Sequence, residues 1–121
     1  MPRVFVYGTL RKGESHAHLM QAARYLGPHV TEPHYTLYDL GEYPAAVPGG
    51  VTAIHGEVYA LDDAQLGTLD EYEEYPAVYE RRLIGTAYGA AWIYLFRAPP
   101  AVACVIAHGD WCRRGQLELE Q

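Results

Sequence analysis

The chain has 121 residues, 50% of them hydrophobic and 20% charged, which suits one globular domain with a single core and excludes two. Its net charge of −6, with Lys12 as the one lysine, excludes a nucleic-acid surface, which needs clustered cations to neutralise phosphates. No stretch approaches the roughly 18 consecutive apolar residues of a membrane span, so no membrane association is expected.

Residues 3–7 form an apolar run that ends in Gly8. This pattern predicts a central strand buried on both faces rather than a signal peptide, and with it a cytoplasmic protein. Ser15 suits the start of a helix running to about Tyr25, with Leu19, Met20, Ala23 and Leu26 as its inward stripe. Residues 34–40 alternate weakly and carry β-favouring tyrosines, predicting a strand. Residues 41–50, with Pro44, Pro48 and closing glycines, read as a loop holding at most a short strand. Residues 52–61 alternate cleanly, with Ile54, Gly56, Val58 and Ala60 on one face.

Residues 62–76 predict a helix. Asp62 and Gln65 fit a capping box at its start and Pro76 ends it. Strands are expected at 78–86 and 90–97, joined by a hairpin through Tyr88 and Gly89, and a short one around 102–106 after Pro99 and Pro100 break the sheet. The tail from about Arg113 is expected to be loosely held. Roughly six strands and two main helices with few crossovers predict an α+β fold on a mixed, strongly curved sheet, in one domain spanning residues 1–121.

Glu73 is the residue most out of place. It falls on the same helix face as Leu66 and Leu69, where a carboxylate is costly to bury unless paired, hydrogen-bonded or protonated. Desolvation, the negative end of the helix and the neighbouring Asp70, Glu71 and Glu74 all predict a raised pKa, which suits a general base. A partly solvated glutamate, or one paired with Arg81 or Arg82, is the alternative. Glycine at the end of the first strand lets the amides of the Tyr7, Gly8, Thr9 and Leu10 segment approach a carboxylate or oxyanion, although a plain turn fits as well. Tyr79 and Arg81 share one strand face with Leu83 and either line a pocket or pack.

Other chemistry finds little support. The histidines form no metal-ligand pattern, so neither metal nor cofactor is expected. Ser15 is the one serine, which leaves no candidate for a serine triad. Cys104 and Cys112 are expected as free thiols.

Taken in order, several blocks resemble the gamma-glutamylcyclotransferase-like family, in particular its small bacterial branch related to γ-glutamylamine cyclotransferase. These blocks are Val6-Tyr7-Gly8-Thr9-Leu10 with Arg11-Lys12-Gly13, Leu37-Tyr38-Asp39-Leu40-Gly41-Glu42-Tyr43-Pro44, Gly56-Glu57-Val58-Tyr59, and Leu69-Asp70-Glu71-Tyr72-Glu73 leading into Tyr79-Glu80-Arg81. Ala91-Trp92-Ile93-Tyr94 and Gly109-Asp110-Trp111 complete the series. The resemblance implies a small β-barrel flanked by helices, with a pocket between the Tyr7–Leu10 loop and a helix-borne glutamate. It further implies that Tyr7, Gly8, Thr9 and Leu10 hold a γ-glutamyl group, with Tyr79 beside them, and that Glu73 is the acid/base. The implied reaction closes the substrate's α-amine onto its γ-carbonyl, giving 5-oxoproline and a free amine or amino acid without metal or cofactor. A non-catalytic small-molecule binder of the same fold is the alternative, and a hydrolase that activates water through Glu73 is a third reading. The family commonly has glycine after its glutamate, where this chain has Glu74. A shift of one residue would make Glu74 the match, but in a helix it would project about 100° from the Leu66/Leu69 stripe.

Overall fold

The computed structural model describes residues 1–98 and 103–114. Its elements in chain order are β1 (Arg3–Val6), β2 (Arg24–Val30), β3 (Tyr35–Asp39), β4 (Pro44–Pro48), β5 (His55–Ala60), α1 (Asp63–Tyr72), β6 (Tyr79–Thr86), β7 (Gly89–Phe96) and β8 (Cys104–Val105). One sheet has the order β2-β5-β1-β7-β6, and a smaller one has the order β4-β3-β8. β1 runs antiparallel to β5 and parallel to β7, so the large sheet is mixed, as expected. The sheets do not close into a barrel, and α1 is the one α-helix among the described residues; the rest of the helical content is short 3-10 turns.

β1 occupies the centre because its side chains are apolar on both faces. Phe5 and Tyr7 pack with Leu37, Ile54 and Trp111 on the side of the small sheet. Val4 and Val6 pack with Leu66 and Leu69 of α1 on the other. The helix starts as the sequence predicts, with Asp62 and Gln65 each capping the other's backbone N–H at 2.7 Å. It ends earlier than predicted, at Tyr72 rather than at Pro76. The Tyr75 N–H bonds to the Asp70 carbonyl at 2.9 Å and the Glu74 N–H to the Glu71 carbonyl at 3.1 Å. This pair of bonds is a Schellman termination, with Glu74 at φ 54° in the left-handed position that glycine favours.

Two further expectations are corrected. The helix from Ser15 is only a 3-10 turn, Ala17–Met20, and its N-cap position His16 receives no side-chain cap. The Ser15 hydroxyl contacts the His16 ring instead, at 3.2 Å. The following residues become β2, because β5 has a free edge opposite β1 and β2 pairs along it from Arg24↔Ala60 to Val30↔His55. Residues 41–50 likewise hold a full strand, β4, whose prolines sit at its ends on a sheet edge, where a missing N–H is tolerated. The hairpin of β6 and β7 and the short β8 match the expected strands, whereas Pro99 and Pro100 and the tail beyond Arg114 lie outside the described residues.

Candidate active site

A cavity of about 130 Å³ opens where the end of β1 meets the start of β4, the end of α1 and the start of β6. Tyr7, Gly8, Thr9, Leu10, Glu73 and Tyr79 all line it, so the fold brings together every site residue expected from the sequence. Tyr43, Pro44, Tyr72, Glu74 and Tyr94 complete most of the wall. A comparable hole of about 150 Å³ accommodates a benzene ring, so the space suits a small organic group.

Glu73 is the C-cap residue of α1, and its N–H bonds to the Leu69 carbonyl at 2.9 Å. One turn beyond Leu69 it keeps the inward direction that the stripe predicts. The residue as a whole is partly exposed, but protein surrounds its carboxyl group on most sides. Burial raises its pKa from 4.5 to about 7. The neighbouring carboxylates are not the cause. Asp70 is paired with Arg81 at 2.8 Å, and Glu71 and Glu74 are exposed. The alternative ion pairs are filled elsewhere too, since Arg82 bonds Glu80 at 2.7 Å. Among the described residues nothing bonds the Glu73 carboxylate, which is left free for a ligand.

The loop facing it is built by close contact. A β-carbon on Gly8 would lie 2.6 Å from the Pro44 ring, so only glycine allows β4 to lie against the end of β1. The N–H groups of Thr9 and Leu10 have no acceptor among the described residues. The Thr9 hydroxyl shares a hydrogen bond with the Tyr72 hydroxyl at 2.9 Å, linking the loop to the end of α1. Arg11, immediately after the loop, bonds Glu57 at 2.6 Å and Asp110 at 2.7 Å, which fixes the loop to β5 and to the chain near Trp111.

The remaining wall is tyrosine. Tyr7 donates to the Tyr94 carbonyl at 2.7 Å, Tyr79 to the Pro44 carbonyl at 3.0 Å, and Tyr94 to the Asp70 carboxylate at 2.6 Å. Burial, with Glu73 nearby, pushes all three hydroxyls well above the usual tyrosine pKa, so they remain protonated. Tyr79 therefore lines the pocket, while its strand neighbour Arg81 pairs with Asp70 and Leu83 is exposed. Tyr43, Tyr72 and Tyr94 were not predicted for this wall. For Tyr94 the available signal is that it continues the Trp92 face of a strand lying next to β1. No group of metal-binding side chains occurs among the described residues, and none of their helices is long and apolar enough to cross a membrane.

The family model "Gamma-glutamyl cyclotransferase, AIG2-like" matches residues 4–113. The chain is 47% identical over 111 residues to a Vibrio cholerae protein, covering 92% of this chain and 96% of that one. It is 45% identical over 112 residues to the gamma-glutamylcyclotransferase family protein YtfP of Escherichia coli K12, covering 93% and 97%. The crystal structure of an uncharacterized protein, PH0828, from Pyrococcus horikoshii superposes with a TM-score of 0.79 at 31% identity, covering 92% of this chain and 90% of that one.

Proposed function

Because the chain belongs to the gamma-glutamyl cyclotransferase, AIG2-like family, we propose that it is an enzyme releasing 5-oxoproline and a free amine or amino acid from a γ-glutamyl amide. The observation that carries the reading is an unpaired carboxylate, Glu73, with its pKa near 7, in a small cavity also lined by Thr9 and Leu10, whose N–H groups have no acceptor among the described residues. The substrate supplies the nucleophile, so the site needs no serine, thiol or metal.

Glu73 takes a proton from the substrate's α-ammonium, and the resulting amine attacks the γ-carbonyl carbon. A carbon–nitrogen bond forms and closes a five-membered ring. The N–H groups of Thr9 and Leu10 hold the anionic oxygen of the γ-glutamyl group. The original amide carbon–nitrogen bond then breaks. Over the whole reaction the attacking nitrogen loses two protons and the leaving nitrogen gains two, so Glu73 relays them and ends as it began. Positioning amine and carbonyl in near-attack geometry supplies much of the acceleration. Proton relay adds about 10²–10⁴-fold.

The test is a 5-oxoproline assay across a panel of γ-glutamyl amides, with Glu73→Gln alongside. We expect at least one substrate for the native chain and loss of turnover in the variant, with its fold checked by circular dichroism. Undiminished turnover in the variant would remove Glu73 from the chemistry. Free glutamate in place of 5-oxoproline would indicate hydrolysis, and ligand-induced stabilisation without consumption would indicate a binding protein.

A further inference from the structure

Resting on the proposed reaction, we infer that Tyr94 receives the substrate's reacting amine as a hydrogen-bond acceptor, and that the Asp70–Arg81 ion pair is what holds it in that role. Nothing in the general acid–base scheme requires these residues, yet the fold organises them with care. The Tyr94 hydroxyl donates to Asp70 Oδ1 at 2.6 Å, a short charge-assisted bond. Asp70 is in turn gripped by both arms of one guanidinium, Arg81 Nε at 2.8 Å and a terminal nitrogen of Arg81 at 3.1 Å. Arg81 is itself sandwiched, its guanidinium carbon 4.3 Å from the Trp92 ring centre and 4.8 Å from that of Tyr75. A rigid planar cation thus fixes a carboxylate, which fixes one hydroxyl at the cavity wall.

The consequence is directional. A hydroxyl carries one proton and two lone pairs, so Tyr94, with its proton committed to Asp70, can only accept from anything in the cavity. An amine that donates an N–H to Tyr94 keeps its own lone pair free for the carbonyl. A hydroxyl free to rotate could donate to that lone pair instead and quench the nucleophile. Tyr79 is committed in the same sense, to the Pro44 carbonyl, whereas the Tyr7 hydroxyl is engaged on both sides, donating to the Tyr94 carbonyl and accepting from the Ala46 N–H at 3.2 Å, so neither offers a free proton beside Glu73. Such a wall suits a cationic or N–H-rich group and rejects an acceptor. The loop carrying the Thr9 and Leu10 N–H groups has the opposite preference. The cavity therefore has a polarity, amine toward Tyr94 and Glu73, anionic oxygen toward the loop.

The test separates this assignment from the reaction itself. In a Glu73→Gln background, which stops turnover, calorimetry would compare γ-glutamyl ethylamide with its counterpart lacking the α-amine, 4-(ethylcarbamoyl)butanoic acid. We expect the α-amino ligand to bind about 10–100-fold more tightly, the range of a hydrogen bond to a charged group. Adding Tyr94→Phe should remove most of that preference, weakening the α-amino ligand far more than the des-amino one. Adding Asp70→Asn should weaken the preference too, because a neutral amide oxygen holds the Tyr94 proton less tightly than the carboxylate does. That variant also serves if Tyr94→Phe does not fold. Retention of the full preference by both variants would overturn the role of Tyr94 while leaving the reaction intact. Failure of the Glu73→Gln protein to bind either ligand would overturn the γ-glutamyl pocket, and the Tyr94 assignment with it.

Discussion

Gly8 and Pro44 are in such close apposition that one hydrogen atom on Gly8 occupies the whole available gap. An ideal β-carbon at residue 8 would fall 2.6 Å from Pro44 Cγ and 2.7 Å from Pro44 Cδ. The proline ring cannot rotate away as a flexible chain end would, so β4 itself must move. Pro44 also supplies the carbonyl that fixes the Tyr79 hydroxyl at 3.0 Å, so the disturbance reaches the pocket wall. Gly8→Ala should therefore destabilise the fold by about 1–3 kcal/mol, as overpacking does. It should also lower kcat/KM disproportionately. Urea unfolding and a 5-oxoproline assay on the same preparation would read both effects.

The raised pKa of Glu73 sets the pH profile. Below about 7 the carboxyl holds a proton and cannot take another from the substrate. A logarithmic plot of kcat/KM should rise with unit slope on the acid side and bend near pH 7, the value belonging to the free enzyme. An ordinary solvated glutamate would place that bend near 4.5. Assays between pH 5 and 8 locate the bend and identify the titrating group.

Stability should move in the opposite sense. With a folded-state pKa of about 7 against 4.5 when unfolded, Glu73 binds its proton more tightly in the native protein. The stability linked to that proton is fully present below pH 4.5 and is lost as the pH rises through about 7. The full displacement corresponds to about 3 kcal/mol, reduced to about 1–2 kcal/mol because the carboxylate faces an open cavity. Urea titrations at pH 5 and 8 should show the native chain losing that much more stability than Glu73→Gln across the interval. Parallel losses in both proteins would show the carboxylate to be solvated.

These effects trace back to a residue whose peculiarity was legible in the sequence, whereas much of the scaffold around it was not. Glu73 stood out because helical spacing placed it beside Leu66 and Leu69. The capping box of Asp62 and Gln65 was equally local, and it formed as written. What local pattern could not convey was competition between elements. Leu19, Met20 and Ala23 have helical spacing and do pack inward, but the next residues are claimed by the open edge of β5. Pro44 and Pro48 punctuate a loop in sequence yet bound an edge strand in space. The Tyr94–Asp70–Arg81 chain joins residues 24 and 11 positions apart, on different elements, so no spacing rule brings them together.

Glu74 is a sequence departure with a structural meaning. It occupies the left-handed residue of the Schellman turn at φ 54°, where a side chain crowds its own backbone. Its charge also lies at the negative end of α1. Glu74→Gly should relieve both and raise stability by about 1 kcal/mol, the conformational penalty at such a site being about 1–2 kcal/mol. For a chain of this length the melting temperature should rise by about 3–6 °C. Glu74→Ala is the informative control, because it removes the charge and keeps the strained backbone. If alanine stabilises as much as glycine, electrostatics rather than conformation governs this turn.

Arg11 offers the sharpest test of how the loop is held. Its guanidinium lies between Glu57 and Asp110, with all three side chains no more than 13% exposed. Glu57 accepts a further bond from the Lys12 N–H at 3.1 Å, and Asp110 accepts one from the Cys112 N–H at 3.0 Å. Those bonds offset part of the carboxylates' desolvation but do not neutralise their charge. Arg11→Met keeps most of the side-chain volume and leaves two negative groups facing each other in a sparsely hydrated space. Removing one partner from a buried ion pair typically costs about 3–5 kcal/mol. The variant should unfold at markedly lower urea concentration, and lysine should restore only part of the loss, since a single ammonium cannot reproduce the planar two-sided contact. The second-site change Glu57→Gln in the Arg11→Met background should recover stability by removing one of the uncompensated charges. If it instead adds to the damage, the network is held by shape and hydrogen bonding and not by charge.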